Sequence, residues 1–187
     1  MLTLGLSLVP LLCWAAEPTA DQAKAIAEIK KLANVGVDEK HPDKPVIDVR
    51  FGVPQADDTD DTSDTTTDAA LPLLKGMTQL RRLDLDSTGV TDIGLENLAE
   101  MKQLHELNLG GCLQVTDVGL KNLKGLDALE YLYICDTQVT DAGLKFLAGM
   151  KQLQKLSLGG AAGKLVVAWF TSKHCPDSKN WILVSPW

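Results

Sequence analysis

Between Leu71 and Leu158 the apolar side chains keep returning in one order. Leu80, Leu83 and Leu85 are followed by Val90, then by Leu95 and Leu98. The order recurs at Leu104, Leu107, Leu109, Val115, Leu120 and Leu123, and again at Leu129, Leu132, Ile134, Val139, Leu144 and Leu147. A last partial copy holds Leu153, Leu156 and Leu158. Met77, Met101, Leu126 and Met150 open successive units, spaced 24, 25 and 24 residues apart. Within a unit, alternation at Leu80, Leu83 and Leu85 suits a short strand, and Leu95 with Leu98 suits one face of a short helix. One such unit cannot bury its apolar side alone, so units stack and share a continuous core.

The polar positions repeat as well. Val90-Thr-Asp-Ile-Gly-Leu95, Val115-Thr-Asp-Val-Gly-Leu120 and Val139-Thr-Asp-Ala-Gly-Leu144 each place Thr-Asp at the expected helix start. Side-chain oxygens there suit the free N–H groups of the first turn. Gly94, Gly119 and Gly143 are expected to let each helix approach its strand closely. Thr88, Cys112 and Thr137 fall at an inward turn, where a hydroxyl or thiol can meet unpaired backbone groups. A degenerate earlier unit is also visible: Val46, Val49 and Phe51 give the strand pattern, and Thr67-Asp68-Ala-Ala-Leu71 the helix start. Ahead of it, Thr19 and Gln22 have capping-box spacing, and Ile26, Ile29 and Leu32/Ala33 recur at helical spacing until Gly36. This predicts an amphipathic helix over residues 20–34 whose stripe covers the open end of the array.

These units resemble the leucine-rich repeat, in the subtype where Cys or Thr replaces the Asn of the turn. The subtype is familiar from F-box-type adaptors and from secreted or periplasmic bacterial proteins. The resemblance spans about residues 43–160. It implies an α/β solenoid, with a curved parallel sheet on the concave side and short helices on the convex side. The expected layout is a signal peptide at 1–16, an N-terminal capping helix and linker at 17–45, and repeats at 46–160. The repeats divide into 46–76 (degenerate, with an acidic insertion), 77–100, 101–125, 126–149 and a partial 150–160. Residues 161–187 are expected to form an irregular cap or tail.

Composition narrows the function. Of 31 leucines, 22 lie in residues 71–158, the density that a repeat core demands. The formal charge of −7 points away from nucleic acid and anionic membranes as partners. Four cysteines are too few for a disulfide scaffold, and no run reaches the roughly 18 apolar residues of a spanning helix. Residues 1–16 carry no charge and end in small residues, as a signal peptide cleaved near Ala15 or Ala16 would. They also lack a basic n-region, so an uncleaved N-terminal anchor is the other reading.

Two segments depart from the repeat. Residues 52–67 hold Asp57, Asp58, Asp60, Asp61 and Asp64. The Asp58-x-Asp60-x-Thr62-x-Asp64 spacing imitates a calcium loop. However, Ser63 stands where the turn wants Gly, and Ala69 where the bidentate Glu belongs. A solvated acidic loop without metal is the expectation. After Leu158 come three of the four tryptophans and Cys175-Pro-Asp-Ser178, which resembles a single-thiol thioredoxin or glutaredoxin motif. Nine residues follow Ser178, so a cap over the last repeat is expected rather than a working thiol enzyme.

Function in a solenoid lies on its continuous exposed face. The positions alternating with the strand leucines are Asp48 and Arg50; Arg82, Asp84 and Asp86; Glu106 and Asn108; Tyr131, Tyr133 and Cys135; and Lys155 and Ser157. Both tyrosines of the chain lie among them, and exposed aromatics beside charges are the usual composition of a binding hot spot. The candidate site is therefore Arg82, Asp84, Asp86, Glu106, Asn108, Tyr131, Tyr133 and Lys155. His41, His105 and His174 form no nucleophile–base arrangement, and the sequence holds no phosphate-binding Gly loop, so neither catalysis nor a cofactor is expected. The expectation is an exported, non-catalytic module, secreted or periplasmic, that binds a protein or peptide. The alternative is the substrate-recognition adaptor of an intracellular, F-box/ubiquitin-ligase-like complex, as the F-box resemblance implies.

Overall fold

A computed structural model describes residues 20–41, 45–51 and 68–158. Six strands form one sheet in sequence order. They are β1 (Asn34–Val37), β2 (Val46–Arg50), β3 (Arg82–Asp84), β4 (Glu106–Asn108), β5 (Tyr131–Tyr133) and β6 (Lys155–Ser157). From β2 to β6 every pairing is parallel, one repeat to the next. Short helices α2 (Asp92–Leu95), α3 (Asp117–Asn122) and α4 (Asp141–Leu144) each run on into a 3-10 turn, and a 3-10 turn at Leu71–Leu74 takes their place in the first repeat. This is the expected solenoid, with a parallel sheet on the concave side and short helices on the convex side.

The core is the leucine ladder. Leu83, Leu107, Leu132 and Leu156 stand in register on adjacent strands, facing Leu95, Leu98, Leu120, Leu123, Leu144 and Leu147 from the helical side. All are buried. At about 1.5–3 kcal/mol for each fully buried Leu, this ladder supplies the main favourable term. The array closes at its N-terminal end through α1 (Ala20–Leu32), which packs Ile29 into the same core with Ile26 against it, joined by Ala33 just past the helix. Leu32 instead stays 43% exposed, so the stripe runs through Ala33. Thr19 lies outside the described residues, and Gln22 donates through Nε2 to the Gly76 carbonyl at 3.0 Å, tying the helix to the first repeat.

The structure departs from the sequence expectations at three points, each a correction with a physical reason. The helix stops at Leu32, and the stretch read as linker contains β1, an antiparallel strand on β2. Gly36 is thus a strand residue rather than a helix stop. A Cβ there would come within 2.9 Å of the Asp48 Cβ, so only glycine leaves that side chain its place. The second correction concerns the Thr-Asp pairs. Thr91, Thr116 and Thr140 cap their own helices by accepting the N–H two residues on, each at 3.2 Å. The aspartates reach into the next repeat instead. Asp92 Oδ1 accepts the N–H groups of Thr116 (2.8 Å) and Gly119 (2.9 Å), and its Oδ2 accepts the Thr116 hydroxyl (2.6 Å). Asp68 takes Thr91 and Asp117 takes Thr140 in the same way.

The third correction follows from the second. Gly94, Gly119 and Gly143 make room for the preceding repeat, not for their own strand. A Cβ on Gly119 would sit 2.5 Å from Asp92 Oδ1 and 2.8 Å from Leu95 Cδ1. The inward turn behaves as expected: Thr88 Oγ1 donates to the Leu85 carbonyl (2.7 Å), Thr137 Oγ1 to that of Ile134 (2.9 Å), and the Cys112 thiol to Leu85 (3.1 Å). The extra residue of the 25-residue unit is accommodated at Leu113, whose side chain stays 67% exposed. Residues 1–16, 52–67 and 161–187 lie outside the described residues. So do the signal-peptide, calcium-loop and Cys175 readings. Among the described residues no helix is long and apolar enough to cross a membrane.

Candidate binding face

Strand pairing aligns the outward residues of the sheet into two rows. One runs Gly36, Asp48, Arg82, Glu106, Tyr131, Lys155; the other runs Asn34, Arg50, Asp84, Asn108, Tyr133, Ser157. Seven of the eight candidate residues stand in these rows, and Asp86 lies two residues beyond β3. Because neighbouring strands lie about 4.8 Å apart, each side chain stands beside its counterpart in the next repeat. Strand β1 extends both rows by one position, which the sequence reading did not foresee. The Val35/Val37 alternation beside Gly36 was the available signal.

The N-terminal half of the face is organised around Asp48. Its side chain is only 12% exposed, and Oδ2 accepts Arg82 Nη2 at 2.8 Å and Arg50 Nη2 at 3.1 Å. Removing either arginine would leave a nearly buried carboxylate under-compensated, the costly case for an ion pair. The hydrogen bond and charge of Asp48 hold the Arg50 guanidinium above its ordinary pKa, with smaller help from Asp84 and Glu106. Two of the three cations on this face are therefore committed to one carboxylate. The sequence placed Asp48 on the face, but its role as a clamp depends on a contact across 34 residues.

Next to this clamp lie Asp84, Asp86 and Glu106. Asp84 Oδ1 accepts the Asp86 N–H (3.1 Å), and Asp86 Oδ2 accepts the Ser87 hydroxyl (3.1 Å). Asn108 Oδ1 does the same turn-closing work for the Gly110 N–H (3.0 Å). Among the described residues the Glu106 carboxylate has no hydrogen-bond or salt-bridge partner. The C-terminal half is aromatic: Tyr131 and Tyr133 are half-buried, with Leu132 between them pointing into the core. Lys155 Nζ stands 5.1 Å from the Tyr133 ring centroid, within the range of a cation–π contact. Beside it, Cys135 Sγ lies 3.0 Å from Ser157 Oγ. His105 sits half-buried at the edge of β4, its Nδ1 2.6 Å from the Gln103 carbonyl oxygen. Among the described residues no group of three or more His, Cys, Asp or Glu could hold a metal ion.

Comparison with known proteins agrees with this geometry. Residues 76–99 match the leucine-rich-repeat family model. Among curated protein sequences nothing matches. Among solved structures, the leucine-rich-repeat ectodomain of the receptor kinase SOBIR1 from Arabidopsis thaliana superposes with a TM-score of 0.50 at 14% identity, covering 91% of this chain and 95% of that one. Internalin C2 from Listeria monocytogenes aligns at 20% identity with a TM-score of 0.42, over 79% of this chain and 71% of its own. At 14% identity the likeness to the SOBIR1 ectodomain is one of fold.

Proposed function

We propose that this chain, a leucine-rich-repeat protein, is a non-catalytic interaction module that grips a protein or peptide on its concave face. The observation that carries this reading is the pair of half-buried tyrosines, Tyr131 and Tyr133, held on a rigid strand beside the charged rows. Short parallel strands locked by a leucine ladder present side chains with little freedom to lose, so binding costs less ordering entropy. Export, to the periplasm or the exterior, is supported by the uncharged, apolar residues 1–16.

The test captures partners from the source cells with wild-type protein and with a Tyr131→Ala/Tyr133→Ala variant, after circular dichroism shows equal folding. A partner held by wild type should lose affinity roughly thirtyfold or more in the variant, the effect of removing hot-spot aromatics. Equal capture by both would overturn the concave-face reading. N-terminal sequencing of the mature protein tests export: a start near residue 16 or 17 supports it, and an intact Met1 on protein free of membranes would refute it.

A further inference from the structure

We propose that the concave face selects an extended segment bearing arginine or lysine, seated between Glu106 and the two tyrosines. This inference rests on the concave-face reading and adds the chemistry of the occupant. It starts from the way charge is spent across the rows. Arg50 and Arg82 both turn onto Asp48, so one of their two charges is answered within the sheet and the trio keeps a single net positive charge. Across the face, the four acids Asp48, Asp84, Asp86 and Glu106 outnumber the three cations Arg50, Arg82 and Lys155 by one, with Arg82 in register beside Glu106 at the N-terminal side. Glu106 pairs in register with Tyr131, and Asp84 with Asn108 and then Tyr133. A carboxylate and an aromatic ring thus stand on adjacent strands, the two groups that together attract a guanidinium or ammonium.

Lys155 already shows that this surface takes a cation. Its ammonium stands 5.1 Å from the Tyr133 ring, whereas no such contact occupies Tyr131 among the described residues. An incoming cationic side chain fits beside Tyr131 and Glu106, and a second competes with Lys155 for Tyr133. Lys155 therefore acts as an internal competitor, and it is the comparison of acids at different places that separates a local seat from bulk charge attraction. Removing a positive charge from the Lys155 position should strengthen binding through Tyr133 as well as through the field. Removing a negative charge should weaken binding at Glu106 and not at an acid on the helical side.

The probe is a set of short labelled peptides alternating Ser with Arg, with Glu or with Gln, followed by fluorescence anisotropy with the full chain. Variants are Glu106→Gln, Lys155→Met (which keeps an apolar stem), Tyr131→Ala, and Glu96→Gln as a charge-matched control on the exposed helical side. We expect the Arg peptide alone to bind measurably, about tenfold more weakly to Glu106→Gln and to Tyr131→Ala. Binding should be tighter to Lys155→Met and unchanged for Glu96→Gln. Equal weakening by Glu96→Gln and Glu106→Gln would reduce the effect to net charge and overturn the proposal, as would equal binding of the Gln peptide or no binding at all. A captured partner that depends on the tyrosines but shows no preference for basic segments overturns this inference alone. Loss of the tyrosine dependence overturns the concave-face reading with it.

Discussion

Replacing Asp92 by alanine should uncouple two neighbouring repeats while leaving every leucine in place. The Asp92 carboxylate accepts three hydrogen bonds from the next repeat: Thr116 N–H, Gly119 N–H and the Thr116 hydroxyl. Without it, two backbone N–H groups at the start of α3 lose their acceptor at a part-buried position. Bonds to a charged group are worth about 1.5–3 kcal/mol each when buried, and solvent access at this site lowers that. A total of about 3 kcal/mol for Asp92→Ala is the working figure. Asp92→Asn keeps one oxygen for the two N–H groups on Oδ1, so about 1 kcal/mol is expected. Asp117→Ala removes two exposed bonds and should fall between them.

Urea unfolding followed by circular dichroism reads these differences, with Asp127→Ala as an exposed control. For a chain of this size each 1 kcal/mol shifts the melting temperature by about 2–4 °C. The ordering Ala > Asn at position 92, with Asp92→Ala costlier than Asp117→Ala, carries the reasoning. An m-value that falls as well would show repeats unfolding separately, as a linear array does when one interface weakens. If Asp92→Ala stays within about 0.5 kcal/mol of the Asp127→Ala control, the inter-repeat carboxylates are ornamental and the account is wrong.

Three further outcomes are expected. Gly119→Ala should destabilise by about 1–3 kcal/mol, because its Cβ meets Asp92 and Leu95, and the double variant Asp92→Ala/Gly119→Ala should cost less than the sum of the singles. Asp136→Gly should raise the melting temperature by the equivalent of up to about 1 kcal/mol, since Asp136 holds φ at 52° and glycine occupies the equivalent turn at Gly111. Glu28 should titrate below its ordinary value in an NMR pH series, because the hydrogen bond and charge of Lys31 favour its ionised form. Its contribution to α1 is then present above the ordinary carboxylate pKa and lost as pH falls through the lowered one, and Lys31→Met should move the titration back toward the ordinary value.

The rows of the candidate face and the leucine ladder were legible because both follow from a local rule. In a strand, alternate residues face opposite sides, so once Leu83, Leu107 and Leu132 are assigned to the core, Arg82, Asp84, Glu106, Asn108, Tyr131 and Tyr133 have nowhere else to point. β1 was missed because a glycine after a helix reads as a stop, and only its pairing with β2 shows that Gly36 exists to admit Asp48. The Asp48 clamp and the carboxylate ladder escaped for another reason. Their partners lie 23 to 34 residues away, and periodicity within one element says nothing about such contacts.

Yet the ladder did leave a trace in the sequence. Asp68, Asp92, Asp117 and Asp141 recur in step with the repeat, though a single capping residue, the Thr beside each of the last three, already serves its helix. An ionisable residue that recurs in every repeat at one position needs a partner that recurs with the same period. In a solenoid the adjacent repeat is what recurs in that way. The Gly in Thr-Asp-x-Gly then follows as the space that partner needs, since Gly119 N–H and the cavity of its missing Cβ both address Asp92. Polar positions that repeat without a local task are thus the sequence mark of the interface between units. Polar positions that vary from unit to unit, as Glu106, Tyr131 and Lys155 do along one row, are the ones the proposed ligand would use.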